Sequence, residues 1–600
     1  MSVTNLEYLF QPKSVAVVGA AANPADPGLH VMQAIMGGGF EGPVMPVSGA
    51  SEAIAGVLTY PRVDDLPKVP DLAVVCTPLE ETPETLARLR AMGVRAAVLM
   101  GQGFAGMDEQ KRGELKDAIL TAAAPPGMRI LGPKSLGFMN PSINLYASLA
   151  PTRIPHGRMA FLSQSDSLYT TVLDWAVAQG LGFSYVVSLG SRVDVAFSDI
   201  LDYLASDPYT RSILLYVESI CDAREFMSAA RAAARNKPLL VLRPGRALEK
   251  VDPAVKDLEH GAPRISEDIY DTAFRRAGML RVDSIDGLFD AARTLTQPKP
   301  VRGNRLAILT NGSSAGVLAA DALLRGGGRL AELSAETRNG LAERFGSHRA
   351  PGTGDGPSPV GMPYDADGAD YDHVLKLLLK DPGVDSILVM HVPFAGLSEV
   401  DVAEALVKSL RRVKRFVLTS WLGSGRAEKA RALFKDAGLP TYDTPEAAIR
   451  AFLYMAEYQR TQEILMETPD SLPSDFFPDT TTARETVGEA IAQGRDVLTE
   501  PEAKDVLAAY GIPVVETRIA VSARDAVIAA DELGYPVALK LRSPQITQPF
   551  DVGGVLLDLE GPEKVWEGAA NILARVARER PDAYIEGFTV QKMGRRPGAH

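Results

Sequence analysis

The sequence predicts an α/β protein made of several open, mostly parallel βα sheets. Three observations predict it. Short apolar runs rich in Val, Ile and Leu alternate with helical patterns along most of the 600 residues, as parallel strands covered by helices do. Hydrophobic residues make up 46% and charged residues 23%, a globular balance that excludes a mainly disordered, collagenous or coiled-coil chain. The length far exceeds one domain, so about three to five are expected.

The first block runs over residues 1–150, with strands SVAVVG (14–19), GPVMPV (42–47), DLAVVCTP (71–78), RAAVLMGQGF (95–104) and MRILGP (128–133). It reads as an open nucleotide-binding sheet. A second block, 151–300, contributes RMAFLSQS (158–165), FSYVVSLGS (183–191), SILLYVES (212–219) and PLLVLRPG (238–245). A third, 301–465, contributes RLAILTNGSSAG (305–316), DSILVMHVP (385–393), RFVLTSWLG (415–423) and GLPTYDT (438–444). The stretch 466–485 is rich in Pro, Asp, Ser and Thr and reads as a linker. A fourth unit, 486–600, ends without a visible closing element, so the natural chain is expected to continue.

Composition narrows the partners. A net charge of −12 argues against nucleic acid and anionic membranes, while allowing a local basic pocket. Two cysteines, Cys76 and Cys221, build neither a disulfide framework nor a zinc site. The start lacks a basic segment followed by an apolar one, and no apolar stretch is long enough to span a bilayer. A cytoplasmic protein is expected.

Chemistry is sought at the strand ends, where ligands sit in such sheets. After the first strand, Gly19 and Ala20 open a small-residue turn in which backbone can approach a phosphate. Pro46 and Val47 end the second strand, and Thr77 and Pro78 form a second rim. A tight turn without a ligand is the alternative. Ser163 and Ser165, and in the third block Asn311, Gly312 and Ser313, precede helices and could hold a phosphoryl group. Ordinary N-capping is the alternative, and Asp166 would repel an anion. His260, in a polar stretch, could carry a phosphoryl group, because neutral imidazole is a competent nucleophile. Glu218 at a strand end could orient it; a solvated loop histidine is the plainer reading. His391 reads as a rim residue. Lys540 is placed for nucleotide phosphates, and Gln591 and Met593 for an adenine slot. No histidine spacing suggests a metal.

The phrases PKSVAVVGA (12–20), RILGPKSLGFMNP (129–141), MAFLSQSDSL (159–168), DILDYLASDPYTRSILLYVES (199–219), LAILTNGSSAGVLAADAL (306–323) and AAYGIPVV (508–515) span nearly the whole chain. Together they resemble the NDP-forming acyl-CoA synthetase superfamily. The resemblance implies a CoA-binding Rossmann-like domain, two flavodoxin-like domains of succinyl-CoA-synthetase type and an N-terminal part of an ATP-grasp domain. It implies CoA or acetyl-CoA, and ATP or ADP with Mg²⁺, as ligands. Other strings, among them RNKPLLVLRPGR (235–246) and AGLPTYDTPEAAIRAFLYMAEYQRTQEILMETP (437–469), look like bacterial GNAT-type protein lysine acetyltransferases, whose ligase-like region regulates a C-terminal GNAT domain.

Departures from the working-ligase pattern favour that second likeness. SQSGAL reads here with Asp166 for glycine, TNGGGPG reads TNGSSAG (310–316), and GPNCLG reads GPKSLG (132–137). SHTG reads Glu259-His260-Gly261-Ala262, and HKSDVGGV has Gln548-Pro549-Phe550 before Asp551. Glu218 matches the family glutamate that supports phosphohistidine. The expectation is therefore a regulatory, acetyl-CoA-binding region whose phosphate machinery has decayed. It would serve a GNAT domain beyond residue 600, form a homo-oligomer, and have an acyl-CoA synthetase as the protein substrate. The alternatives are an active ADP-forming acyl-CoA ligase working through His260, and a non-catalytic acyl-CoA sensor.

Overall fold

The computed structural model describes residues 3–101, 103–104, 106–124, 127–246, 267–295, 301, 303–345, 358–411, 413–467, 477–495, 497–543, 545–546 and 549–593. The chain divides into two compact units, Met1–Glu467 and Thr468–His600.

In the first unit the opening sheet holds β1 (Val15–Val18), β2 (Val44–Val47), β3 (Leu72–Val75), β4 (Ala96–Met100) and β5 (Arg129–Ser135), in the order β2-β1-β3-β4-β5 and all parallel. β1 and β3 are buried at every residue, which is why they read as unbroken apolar runs rather than alternating ones. The order reverses between β1 and β3, so a crevice opens there at their C-terminal ends. Helix α1 (Pro27–Gly38) starts on Asp26, whose Oδ1 accepts from the Leu29 N–H at 3.2 Å. Pro27 suits the first helical position, where no partner for an N–H exists.

The second sheet begins with a hairpin, β6 (Gly137–Asn140) and β7 (Leu145–Ser148), then β8 (His156–Ser163), β9 (Phe183–Ser188), β10 (Ser212–Tyr216), β11 (Leu239–Leu242) and β12 (Leu280–Val282). Its order is β12-β11-β10-β8-β9-β6-β7, with β6 antiparallel to β9. The chain therefore leaves the first sheet at β5 and adds its next two strands to the second. One apolar cluster spans that junction, with Leu131 and Phe138 packed with Leu162 and Tyr185. Helix α2 (Asp166–Ala178) follows β8, and helix α3 (Glu267–Arg276) precedes β12.

The third sheet comprises β13 (Arg305–Thr310), β14 (Arg329–Leu330), β15 (Val360–Gly361), β16 (Ser386–His391), β17 (Phe416–Trp421) and β18 (Thr441–Tyr442). Its main path is β14-β13-β16-β17-β18, the topology of the first sheet. Helix α4 (Ser313–Arg325) follows β13. The 22-residue helix α5 (Pro445–Met466) packs into the cluster shared by the second and third sheets, which includes Phe452 together with Phe161, Leu288 and Ile308.

The second unit carries an antiparallel sheet, β19 (Thr517–Ala520), β20 (Val537–Arg542), β21 (Val555–Leu559) and β22 (Gly587–Lys592), ordered β19-β22-β20-β21. Helix α6 (Glu500–Ala509) precedes it. Among the described residues no helix is long and apolar enough to cross a membrane. The architecture is that of the expected fold class, mixed α/β with Rossmann-like and flavodoxin-like sheets followed by an ATP-grasp region.

Candidate functional site

The first crevice is built from bare backbone. Gly19 follows β1 with φ +83 and donates its N–H to the Val47 carbonyl at 3.1 Å. A Cβ there would lie 2.6 Å from Thr77 Cγ2 and 2.9 Å from Thr77 N. Only glycine fits both that conformation and that approach. Ala20 is buried, and Asp26 ties the turn to α1 by accepting from the Ala21 N–H at 3.2 Å. A cavity of about 460 Å³ opens over these atoms, lined by Gly19, Ala20, Val47, Thr77, Arg62 and Arg88. Pro46 lies buried in β2, whereas Pro78 is exposed on the rim. The Thr77 hydroxyl is buried without a hydrogen-bond partner, a polar atom whose desolvation a ligand could offset. Bare backbone and an orphan hydroxyl suit a phosphorylated ligand, while the rim arginines are paired, Arg62 with Asp65 and Arg88 with Glu84 and Asp64.

The second crevice lies between β8 and β10, where the second sheet changes winding direction. Ser163 is fully buried and occupied within its own loop: its Oγ donates to the Ser165 carbonyl at 2.8 Å and accepts from the Ser165 N–H at 3.1 Å. Ser165 caps α2, accepting from the Leu168 N–H at 3.4 Å. Gln164, which sequence reasoning passed over, spans the crevice. Its Oε1 accepts from the N–H groups of Glu218 at 2.5 Å and Ser219 at 3.0 Å, and its Nε2 donates to the Ser219 carbonyl at 2.9 Å. Gln164 thereby holds the Glu218 backbone against the loop that leads into α2. Arg192 closes the other side, donating to the Ser219 carbonyl at 2.7 Å and to its Oγ at 2.8 Å.

Asp166 takes a hydrogen bond from Ser188 Oγ at 3.4 Å. Ser188 Oγ also accepts from the Leu136 N–H at 3.0 Å, so the residue that follows β5 and the start of α2 meet on one serine. Burial raises the Asp166 pKa, while the charge of Lys134 and the Ser188 bond work against the rise. The two family departures, at 134 and 166, thus act on one spot with opposite charges. Lys134 (φ 58) and Arg192 (φ 53) both hold left-handed backbone, a conformation costing about 1–3 kcal/mol that gathers at functional sites.

The third sheet repeats the device. Asn311 Oδ1 accepts from the Val392 N–H at 2.8 Å and its Nδ2 donates to the Val392 carbonyl at 2.9 Å. Its side chain therefore braces the crevice between β13 and β16. Gly312 caps α4 without a side chain and Ser313 is exposed, which leaves that helix start open to an anion. His391 is not a rim residue: it is fully buried, stacked on Trp421 at 5.3 Å, and burial lowers its pKa to about 4. It stays neutral at physiological pH.

In the second unit Lys540 and Gln591 converge on a residue the sequence had not singled out. Glu500 Oε1 accepts from Lys540 Nζ at 2.8 Å and Gln591 Nε2 at 2.5 Å, and Lys504 Nζ lies 3.2 Å away. Burial pushes the Glu500 carboxyl up, but these donors outweigh it and hold its pKa below the usual range. Met593 is half-buried, its N–H bonded to the Pro536 carbonyl at 3.0 Å. The sheet thus presents a cationic group and an amide on neighbouring strands. His260 lies outside the described residues, as does Gln548.

Comparison with known proteins agrees with this architecture. Residues 13–141 match the CoA binding domain family, 156–295 the succinyl-CoA ligase like flavodoxin domain, and 489–600 the ATP-grasp domain. ADP-forming acetate–CoA ligase I of Archaeoglobus fulgidus is 32% identical over 590 residues, 98% of this chain and 82% of that protein. ADP-forming 4-hydroxybutyrate–CoA ligase of Nitrosopumilus maritimus is 29% identical over 590 residues, with the same shares. The solved structure of dinucleotide forming acetyl-coenzyme A synthetase 1 of Ca. Korarchaeum cryptofilum, in complex with phosphate and ADP, matches with a TM-score of 0.68 at 28% identity, over 77% of this chain and 99% of that one.

These relatives are ligases along nearly the whole chain, which overturns the expectation of a regulatory region serving an acetyltransferase. The physical reason lies in the second crevice. Substitutions that read singly as decay have compensating neighbours: the charge of Lys134 works against the rise that burial imposes on the Asp166 pKa, and Gln164 holds the backbone of Glu218 and Ser219. The chain has a CoA-binding domain and an ATP-grasp domain, and it belongs to the NDP-forming acyl-CoA synthetase family.

Proposed function

We propose that the protein is an ADP-forming acyl-CoA ligase, interconverting acyl-CoA, phosphate and ADP with the free acid, CoA and ATP. What carries the reading is the braced crevice between Ser163–Ser167 and Glu218–Ser219, in a chain whose relatives along 98% of its length are ligases. CoA would lie in the crevice of Gly19, Ala20, Pro46, Val47, Thr77 and Pro78, with its pyrophosphate against the bare backbone.

Phosphate at the α2 N-terminus attacks the thioester carbonyl. The C–S bond breaks, CoA leaves as the thiol with the proton from phosphate, and an acyl phosphate forms. A ring nitrogen of His260 then attacks phosphorus. The P–O bond to the acyl group breaks, a P–N bond forms and the carboxylate leaves. Glu218 would accept a hydrogen bond from the other ring nitrogen and fix its tautomer. Finally the terminal phosphate oxygen of ADP takes the phosphoryl group, the P–N bond breaks and ATP forms, with Lys540, Gln591 and Met593 as nucleotide contacts. Asn311, Gly312 and Ser313 form a second anion loop.

Purified protein given acetyl-CoA, phosphate and Mg-ADP should release free CoA thiol and ATP in equal amounts. Thiol release without ATP, or neither product from any of a panel of acyl-CoAs, would contradict the reading.

Asp166 sets how readily phosphate enters. Asp166→Asn removes a negative charge at the anion site while keeping the shape that Ser188 contacts. The Michaelis constant for phosphate should fall about 5- to 30-fold, a gain of about 1–2 kcal/mol. The variant should be at least as stable as the parent at pH 7. A carboxyl whose folded pKa is raised opposes folding once it is ionised, and that penalty disappears only as the pH falls through the raised value. Initial rates against phosphate concentration and thermal unfolding check both points.

A further inference from the structure

A buried ionic network adjoins Glu218. Arg243 follows β11, Glu267 opens α3 and Arg281 lies in β12; their side chains are 2%, 8% and 6% exposed. Arg243 Nε sits 3.0 Å from Glu267 Oε1, and Arg281 Nη2 sits 2.6 Å from Glu267 Oε2. Arg281 Nη2 also donates to the Arg243 carbonyl at 2.9 Å, and Arg281 Nη1 lies 2.5 Å from Asp271 Oδ1. The Arg243 guanidinium lies over the Tyr270 ring, 3.7 Å from its centroid, and Arg243 Nη1 donates to the carbonyl of Glu218. Arg246 makes two bonds to Asp271, at 2.9 and 2.7 Å.

The chain thus leaves this network at Arg246 and returns to it at Glu267, and the residues between include His260. Three points are tied into one body: both flanks of that stretch and the backbone of Glu218. Stability does not account for the arrangement. Burying an Arg–Glu–Arg triad costs about as much desolvation as the pairing returns, and a packed apolar replacement is often neutral or stabilising. What charged forks add is fixed geometry, since guanidinium–carboxylate bonds are directional.

We propose that Arg243, Glu267 and Arg281 are positioning residues for phosphoryl transfer, setting the spacing between the flanks of the His260 stretch and Glu218. The proposal rests on the phosphohistidine reading above. In the step concerned, the acyl–O–P bond breaks, the P–N bond to His260 forms and the carboxylate departs. A misplacement of about 1 Å at such a step costs on the order of 10²-fold.

The test compares the parent with a triple variant, Arg243→Met, Glu267→Leu and Arg281→Met, and with Glu267→Gln alone. Each is given ³²P-labelled phosphate and acetyl-CoA without nucleotide, and acid-labile label on the protein is followed in time. The triple variant should label on the order of 10²-fold more slowly. Its CoA affinity by calorimetry and its Michaelis constants for acetyl-CoA and phosphate should stay within about twofold of the parent, with unfolding temperature unchanged or raised. Glu267→Gln, which keeps shape but loses charge, should be intermediate in rate. Parent-like labelling of a folded triple variant would overturn the inference and leave the ligase reading standing. Loss of CoA binding and of the cooperative unfolding transition in both variants would assign the network to stability, and also overturn it. A parent that turns over without any label would instead remove the phosphohistidine reading, and the inference with it.

Discussion

Gly19→Val should abolish CoA binding while leaving the rest of the first unit folded. A Cβ at this position meets Thr77 Cγ2 at 2.6 Å, Thr77 N at 2.9 Å and the Cys76 carbonyl carbon at 3.2 Å. Two of these are backbone atoms of the loop after β3, so no side-chain rotation relieves the clash. The positive φ adds strain for a β-branched residue. The β1 and β3 loops must then separate, which pulls apart the rims the pyrophosphate would bridge. Calorimetric affinity for CoA should drop on the order of 10²-fold or more, about 3 kcal/mol. The second unit provides an internal control, because its nucleotide affinity should not change. Unaltered CoA binding would move the thioester site away from the first crevice.

His260→Asn should stop turnover without touching CoA affinity. The imidazole is the only group assigned a covalent role, and amide nitrogen cannot replace it as a nucleophile for phosphorus. Removing a nucleophile costs on the order of 10³-fold or more in kcat. Release of CoA thiol in a single turnover with phosphate should survive, because attack of phosphate on the thioester precedes the histidine step. Glu218→Gln should give a smaller loss, since it takes the charge from an orienting acceptor and leaves the bond-forming atom in place. Full turnover by His260→Asn would mean that phosphate reaches ADP by another route.

The parallel strands were legible because buried parallel strands must be apolar at every position. VAVV (15–18) and LLVL (239–242) show it without ambiguity. The loops that end them were legible too, as small-residue turns before helices. What could not be read was which loops face each other. Gln164 meets Glu218 and Ser219, Asn311 meets Val392, and Glu500 meets Lys540 and Gln591 only because strand order brings them together. Their spacing along the chain carries no such signal. The hairpin Gly137–Ser148 follows β5 in sequence yet pairs with β9, a choice made by the shared core of Leu131, Phe138 and Tyr185. The acid at 166 shows the same limit in electrostatics. As a sequence change it reads as loss of an anion site, and only the structure shows the Lys134 charge acting on it and the bond it takes from Ser188. His391 was misread for a related reason. A polar residue at a strand end is ordinarily at the surface, but here Trp421 and Tyr371 close over it.

An ADP-forming ligase of this kind passes phosphate from an acyl-CoA to its own chain and then to a nucleotide. The direct measurement incubates the parent protein with ³²P-labelled phosphate and acetyl-CoA, removes small molecules and then adds Mg-ADP. Label that is stable in base, labile in acid and discharged into ATP is the predicted result. A protein that binds acetyl-CoA yet never takes up label, under conditions where thiol release and ATP formation are followed in parallel, would contradict it.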